Sequence, residues 1–193
     1  MAVESGATPL GTNLPDVTLP DLDGTPVSLT QLRGDGVLVV VFSANHCPYV
    51  QHVEQRLGEI AAGFADANVQ FVAIGSNDVA TYPDDDASGL REQAGRAGWK
   101  FPYLLDADQS VAQRFGAVCT PDFFVFGGDG TLVYRGAFDA SSPKNNEPLT
   151  GDLLHAAIDA AIAGNPIPPP HRPAMGCGIK WLPRNEPEAV SFV

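Results

Sequence analysis

The chain has 193 residues, 44% apolar and 18% charged, with eleven basic against twenty-three acidic side chains for a net charge of −12 at pH 7. That length and composition suit one hydrophobic core, and the acidic balance argues against nucleic acid or an anionic membrane surface as partner. No apolar run approaches membrane-spanning length, and the opening MAVESGATPLG lacks the basic and apolar regions of a secretory signal, so with an initiating Met the expected compartment is the cytoplasm.

Asp16 to Leu19 and Pro26 to Leu29 flank the turn signal Asp21 to Gly24, which predicts a leading hairpin. Val37 to Phe42 is an unbroken apolar run of the kind a doubly covered central strand shows. From Pro48 the apolar positions Val50, Val53, Leu57, Ile60, Ala61 and Phe64 recur at helical spacing. Val69 to Ile74 reads as the next buried strand, and Ser76 to Ser88, with three consecutive aspartates at 84–86, as a solvated polar loop that caps a helix over Gly89 to Ala97. A short extended piece at Phe101 to Leu105 and a short helix from Gln109 to Phe115, stopped by Gly116, come next. Phe123 to Phe126 and Thr131 to Arg135 pair through a Gly-Gly-Asp-Gly turn. A last helix, Gly151 to Ala163, carries Leu153, Leu154, Ala157, Ile158, Ala161 and Ile162 on one face. A βαβ unit followed by ββα predicts an α/β fold, a mixed central sheet with helices on both faces. It divides into an N-terminal arm (1–13), a domain (14–163) and a Pro-rich tail (164–193) that packs on the domain.

Cys47 stands where the first central strand gives way to a helix, with Pro48 at the first helical position, where a missing N–H costs nothing. Unpaired amides and the positive end of the helix dipole favour a thiolate there, and such cysteines attack disulfides or peroxides. A lone cysteine ending a strand is otherwise a small buried hydrophobe. Three cysteines, an odd number in a reducing compartment, suit reactive thiols better than a disulfide framework.

The segments VVVFSANHCPYV (39–50), CTPDFFVF (119–126) and GDGTLVYRG (128–136) resemble those of thioredoxin-fold proteins. More narrowly they resemble the redoxin family, its branch similar to alkyl-hydroperoxide reductase and thiol-specific antioxidant proteins, and the cytoplasmic peroxiredoxin-like subgroup, with which the GCGIKW tail (176–181) is shared. The resemblance implies a thioredoxin fold, a nucleophilic Cys47, and Thr120 with a cis Pro121 facing it, the Thr120 backbone free to pair with an extended substrate segment. His46, Pro48 and Tyr49 become substrate-facing. The chain departs from both patterns. Val50 stands where thioredoxins have a second cysteine, and Val41 where they bury an aspartate. Ala44, Val40 and Pro121 or its neighbours replace the hydroxyl residue, proline and peroxide-activating arginine of peroxiredoxins.

Thiol–disulfide exchange through Cys47 is therefore the leading expectation, with a distant resolving cysteine to release the mixed disulfide. Cys119, on the loop facing Cys47, and Cys177, in the tail, are both candidates; either is equally readable as a buried spectator, Cys177 beneath a tail whose Ile179 and Trp181 merely cover a sheet face. The rivals are a peroxiredoxin-like peroxidase passing through a sulfenic acid and a redox-inert module that docks peptides at Thr120 and Pro121. Substrates are protein or small-molecule thiols and disulfides, or peroxides, with thioredoxin or a low-molecular-weight thiol as reductant. No cofactor is called for. His46, Cys47 and His52 match no zinc-ligand spacing, and the aspartates at 84–86 match no calcium loop.

Overall fold

Six consecutive apolar residues leave a strand no polar side to offer water, so Val37 to Phe42 must be covered on both faces. The computed structural model, which describes residues 2–6 and 8–187, places this strand at the centre of a five-stranded sheet. In chain order the elements are β1 (Ala2–Glu4), β2 (Thr18–Pro20), β3 (Pro26–Ser28), α1 (Leu29–Arg33), β4 (Val37–Phe42), α2 (Pro48–Gly63), β5 (Val69–Gly75), a 3-10 turn (Pro83–Asp85), α3 (Ala87–Ala97), β6 (Tyr103–Leu105), α4 (Ser110–Phe115), β7 (Cys119–Thr120), β8 (Asp122–Phe126), β9 (Leu132–Gly136), α5 (Asp152–Ile162) and β10 (Met175–Gly178). The sheet runs β6-β5-β4-β8-β9. β4, β5 and β6 are parallel; β8 runs antiparallel to β4, and β9, antiparallel to β8, points the same way as β4 and closes the far edge.

Alternation along β4 divides the core in two. Val37, Val39 and Val41 face one cluster, filled by Val53, Leu57 and Ile60 of α2, Leu90 of α3, and Leu154, Ala157 and Ile158 of α5. Leu38, Val40 and Phe42 face the other, filled by Leu29 of α1 and by Val111, Ala112 and Phe115 of α4. Each such side chain taken fully out of water contributes about 1.5–3 kcal/mol, so both faces hold the sheet. The predicted hairpin forms as β2 and β3 in a two-stranded antiparallel ladder. On α5, Ile162 departs from expectation: it lies past the last buried turn and is half exposed.

A second sheet, unforeseen from sequence, has the order β1-β10-β7. Its strands join the two ends of the described chain to the segment before Pro121. Ala2, Val3 and Glu4 pair with Cys177, Gly176 and Met175, and Cys177 and Gly178 pair in turn with Thr120 and Cys119. The arm and tail are thus strands of one small sheet, and the tail's Ile179 and Trp181 cover the second core cluster. Residues 188–193 of the predicted tail lie outside the described part. Among the described residues no helix is long and apolar enough to cross a membrane.

Candidate active site

The end of β4 and the start of α2 put Cys47 at the N-cap, extended at φ −78° and ψ 116°, with Pro48 exposed at the first helical position. What shapes the connecting turn is Asp85, one of the three aspartates expected in a solvated loop. It is buried. Its carboxylate accepts the backbone N–H of Asn45 at 2.7 Å and of His46 at 3.2 Å, the Asn77 amide at 2.7 Å and the His46 ring at 2.5 Å. Burial pushes the Asp85 carboxyl up, but His46 and Asn77 outweigh it and the net shift is downward. The loop expectation fails because four donors converge where a sequence shows only three carboxylates in a row; Asp86 does cap α3, accepting the Gly89 N–H at 2.8 Å. His46, expected to face substrate, is engaged instead by Asp85, which raises its pKa, and its ring stacks on Tyr82 at 5.2 Å.

The Cys47 sulfur is sealed from solvent, at 0% exposure, in a small cluster with Ala2, Ala44, Tyr49, Val50 and Cys177. It is not sealed from hydrogen-bond partners. Its thiol donates to the Thr120 carbonyl at 3.1 Å. Its pKa falls from 9.0 to about 6: the Cys177 thiol favours the thiolate most, burial opposes it, and the Thr120 hydroxyl and the N–H groups of Val50 and Cys177 add to the gain. The sequence reading rested on the amides of the helix the cysteine opens. The structure gives those a lesser share, Val50 alone, and the larger part to a thiol brought 130 positions along the chain by β10. Reciprocally, the hydrogen bond to Cys47 and then burial push the Cys177 thiol up, so the pair shares one proton.

The two candidate resolving cysteines part company. Cys177 is half-buried against Cys47. Cys119, one residue before Thr120, turns to the opposite side, among Val3, Val118 and Ala174, as alternation in an extended segment requires. Burial raises its thiol well above the ordinary value. All three cysteines are free. The Thr120–Pro121 bond is cis, but the Thr120 backbone is not open as expected: it is taken by Cys177 in the β7–β10 ladder. Gly176 makes this approach feasible, since a Cβ there would overlap the Thr120 carbonyl oxygen.

Tyr49 and Pro121 share a cleft of about 280 Å³ with Val53, Phe123, Arg172 and Met175. Trp99 donates its indole N–H to the Glu54 carbonyl at 2.8 Å, and His52 pairs with Ser141 at 2.9 Å. Arg135 binds Asp122 at 2.8 Å in an ion pair 4% and 0% exposed, whose carboxyl burial pushes up to about 6 against the pull of Arg135. Sequence reasoning missed Asp85, Asn77 and Lys180. Asn77 accepts the Lys180 N–H at 2.8 Å, and the Lys180 ammonium donates to the Gly178 carbonyl at 2.9 Å, so the group that fixes the turn before Cys47 also anchors the strand bearing Cys177. Among the described residues no three His, Cys, Asp or Glu side chains gather to hold a metal ion.

Residues 9–152 match the family model described as Redoxin. Among solved structures, the chain is 43% identical to an uncharacterized conserved protein from Geobacillus kaustophilus, with a TM-score of 0.91 over 95% of this chain and 97% of that one. It is 23% identical over 124 residues to the thiol-disulfide oxidoreductase ResA of Bacillus anthracis, covering 64% of this chain and 67% of that protein. To Peroxiredoxin Q, chloroplastic, of Gentiana triflora it is 27% identical over 154 residues, covering 74% and 65%.

Proposed function

The chain belongs to the Redoxin family, and from that premise we propose that it is a thiol–disulfide oxidoreductase in which Cys47 attacks and Cys177 resolves. The observation that carries this is the packing of Cys177 against the cluster that holds the buried Cys47 sulfur, with the Cys47 thiol lowered to about 6. At neutral pH the thiolate, the species that attacks sulfur, is the prevailing form of Cys47. It attacks one sulfur of a disulfide and expels a thiolate. Cys177, having lost its proton to that leaving group, then attacks the Cys47 sulfur and expels the second sulfur as a thiolate, which is protonated from solvent. The product is a Cys47–Cys177 disulfide, which an external dithiol such as thioredoxin, or a low-molecular-weight thiol, returns to the reduced state. Thr120 and the cis Pro121 hold the sulfur from one side, and Tyr49 and Pro48 border the approach. The working unit is residues 14–163 with the arm and tail completing the site, in a reducing compartment such as the cytoplasm, where three free thiols persist.

The test is non-reducing peptide mapping after one equivalent of oxidant. A Cys47–Cys177 link is expected; a Cys47–Cys119 link, or none, overturns the assignment. A peroxidase reading has one observation in its favour, the likeness to a peroxiredoxin. In it Cys47 is oxidised to a sulfenic acid and Cys177 condenses with it, releasing water. Stopped-flow oxidation separates the two: a peroxide rate no better than a free thiol's removes the peroxidase.

A further inference from the structure

A partner that docks by adding a strand needs a free edge, and the edge beside Pro121 is filled. β10 pairs with β7 on one side and β1 on the other, so it is the middle strand of its sheet. Beyond it the tail stays tied down: Ile179 donates to the Val118 carbonyl at 3.0 Å, Lys180 to Asn77 at 2.8 Å and Leu182 to Gln109 at 2.7 Å. Removing β10 therefore breaks two ladders and these bonds together. A small molecule meets a lesser obstacle. Cys177 is half-buried over a fully buried Cys47, and turning its side chain about the Cα–Cβ bond asks no backbone hydrogen bond to break. The cleft of about 280 Å³ lies alongside, and its Tyr49 belongs to the cluster around the Cys47 sulfur.

We infer, resting on the dithiol reading above, that the oxidising substrate is a low-molecular-weight disulfide seated in the cleft beside Tyr49, Pro121 and Met175, and that β10 shuts out extended segments of other proteins. The disulfide RSSR takes the Cys47 thiolate at one sulfur and gives a Cys47–SR mixed disulfide and RS⁻, which takes the Cys177 proton. Cys177 then attacks the Cys47 sulfur and expels the second RS⁻, protonated from solvent. One disulfide and the protein dithiol become two RSH and a protein disulfide.

The reduced protein is mixed separately with hydroxyethyl disulfide and with insulin, and closure of the Cys47–Cys177 bond is timed. Hydroxyethyl disulfide should act roughly a hundredfold faster, because locally opened states are rare; equal rates overturn the inference. Gly176→Ala, which forces β10 away from Thr120, disturbs Cys177 for both reagents alike and should therefore be read as a ratio: the gap between the hydroxyethyl disulfide and insulin rates should narrow, and an unchanged ratio counts against β10 as the barrier. Should that variant not fold, the wild-type comparison still decides. Met175 is 38% exposed, so Met175→Trp should fold and, by filling the cleft, slow the small disulfide; an unchanged rate refutes the seat. If Cys47 reacts with neither reagent, the dithiol reading itself has failed, a different result from equal reactivity.

Discussion

Replacing Cys177 by alanine tests where the acidity of Cys47 comes from. The fall from 9.0 to about 6 corresponds to about 4 kcal/mol in favour of the thiolate, at 1.36 kcal/mol per pKa unit. Cys47 is fully buried, so solvent screens little of it. The largest contribution is the Cys177 thiol, and a hydrogen bond to a charged group is worth about 1.5–3 kcal/mol. Its removal should therefore move the midpoint up by about one to two pH units, to about 7–8. Water entering the vacated space offsets part of the rise by relieving burial. The assay is the rate of iodoacetamide modification of Cys47 against pH, with thiolate absorbance as a second reading. Cys119→Ala serves as the control, because that side chain faces a different cluster and should leave the midpoint in place. A Cys177→Ala midpoint at or below that of the wild type would refute the argument, and so would an equal rise in Cys119→Ala.

Stability should follow the same sulfur. The folded pKa of Cys47 lies below its ordinary value, so the stabilisation is complete above about 9 and is lost as pH falls through about 6. His46 is raised and acts in the opposite sense, which makes the difference in denaturation free energy between wild type and Cys47→Ser the proper readout; a flat difference from pH 6 to 9 contradicts it. Asp85→Asn should bring the His46 titration down, as followed by NMR, and cost about 1–3 kcal/mol by weakening the bonds to the turn and to Asn77. An unmoved His46 titration would separate the two groups. Arg135→Met removes the pull that holds Asp122 ionised, so its buried carboxyl rises further and is left without its partner; chemical denaturation should show a loss of about 3–5 kcal/mol with no change in Cys47 titration.

The elements legible in the sequence were those whose own pattern determines their place. Val37 to Phe42 and the stripe from Val50 to Phe64 declare burial by composition and period, and both form where expected. β1 and β10 carry no such pattern: Met-Gly-Cys-Gly has low strand propensity and no alternation, and it is extended because it has a partner on each side. For the same reason the sequence could not choose between Cys119 and Cys177. That choice depends on which way residue 119 faces and on where a segment 130 positions beyond Cys47 returns. Asp85 was hidden likewise, identical in type to its neighbours until Asn45, His46 and Asn77 point at it.

The covering of Cys47 by residues 175–178 also sets an order of events during synthesis. Chains fold from the N-terminal side as they emerge from the ribosome, and β4, α2 and β8 are all made before β10. A nascent domain therefore carries its key sulfur uncovered, lacking its main proton-sharing neighbour, until almost the whole domain has been translated. Reactivity toward alkylating reagents in stalled chains should drop abruptly once residue 178 has cleared the exit tunnel.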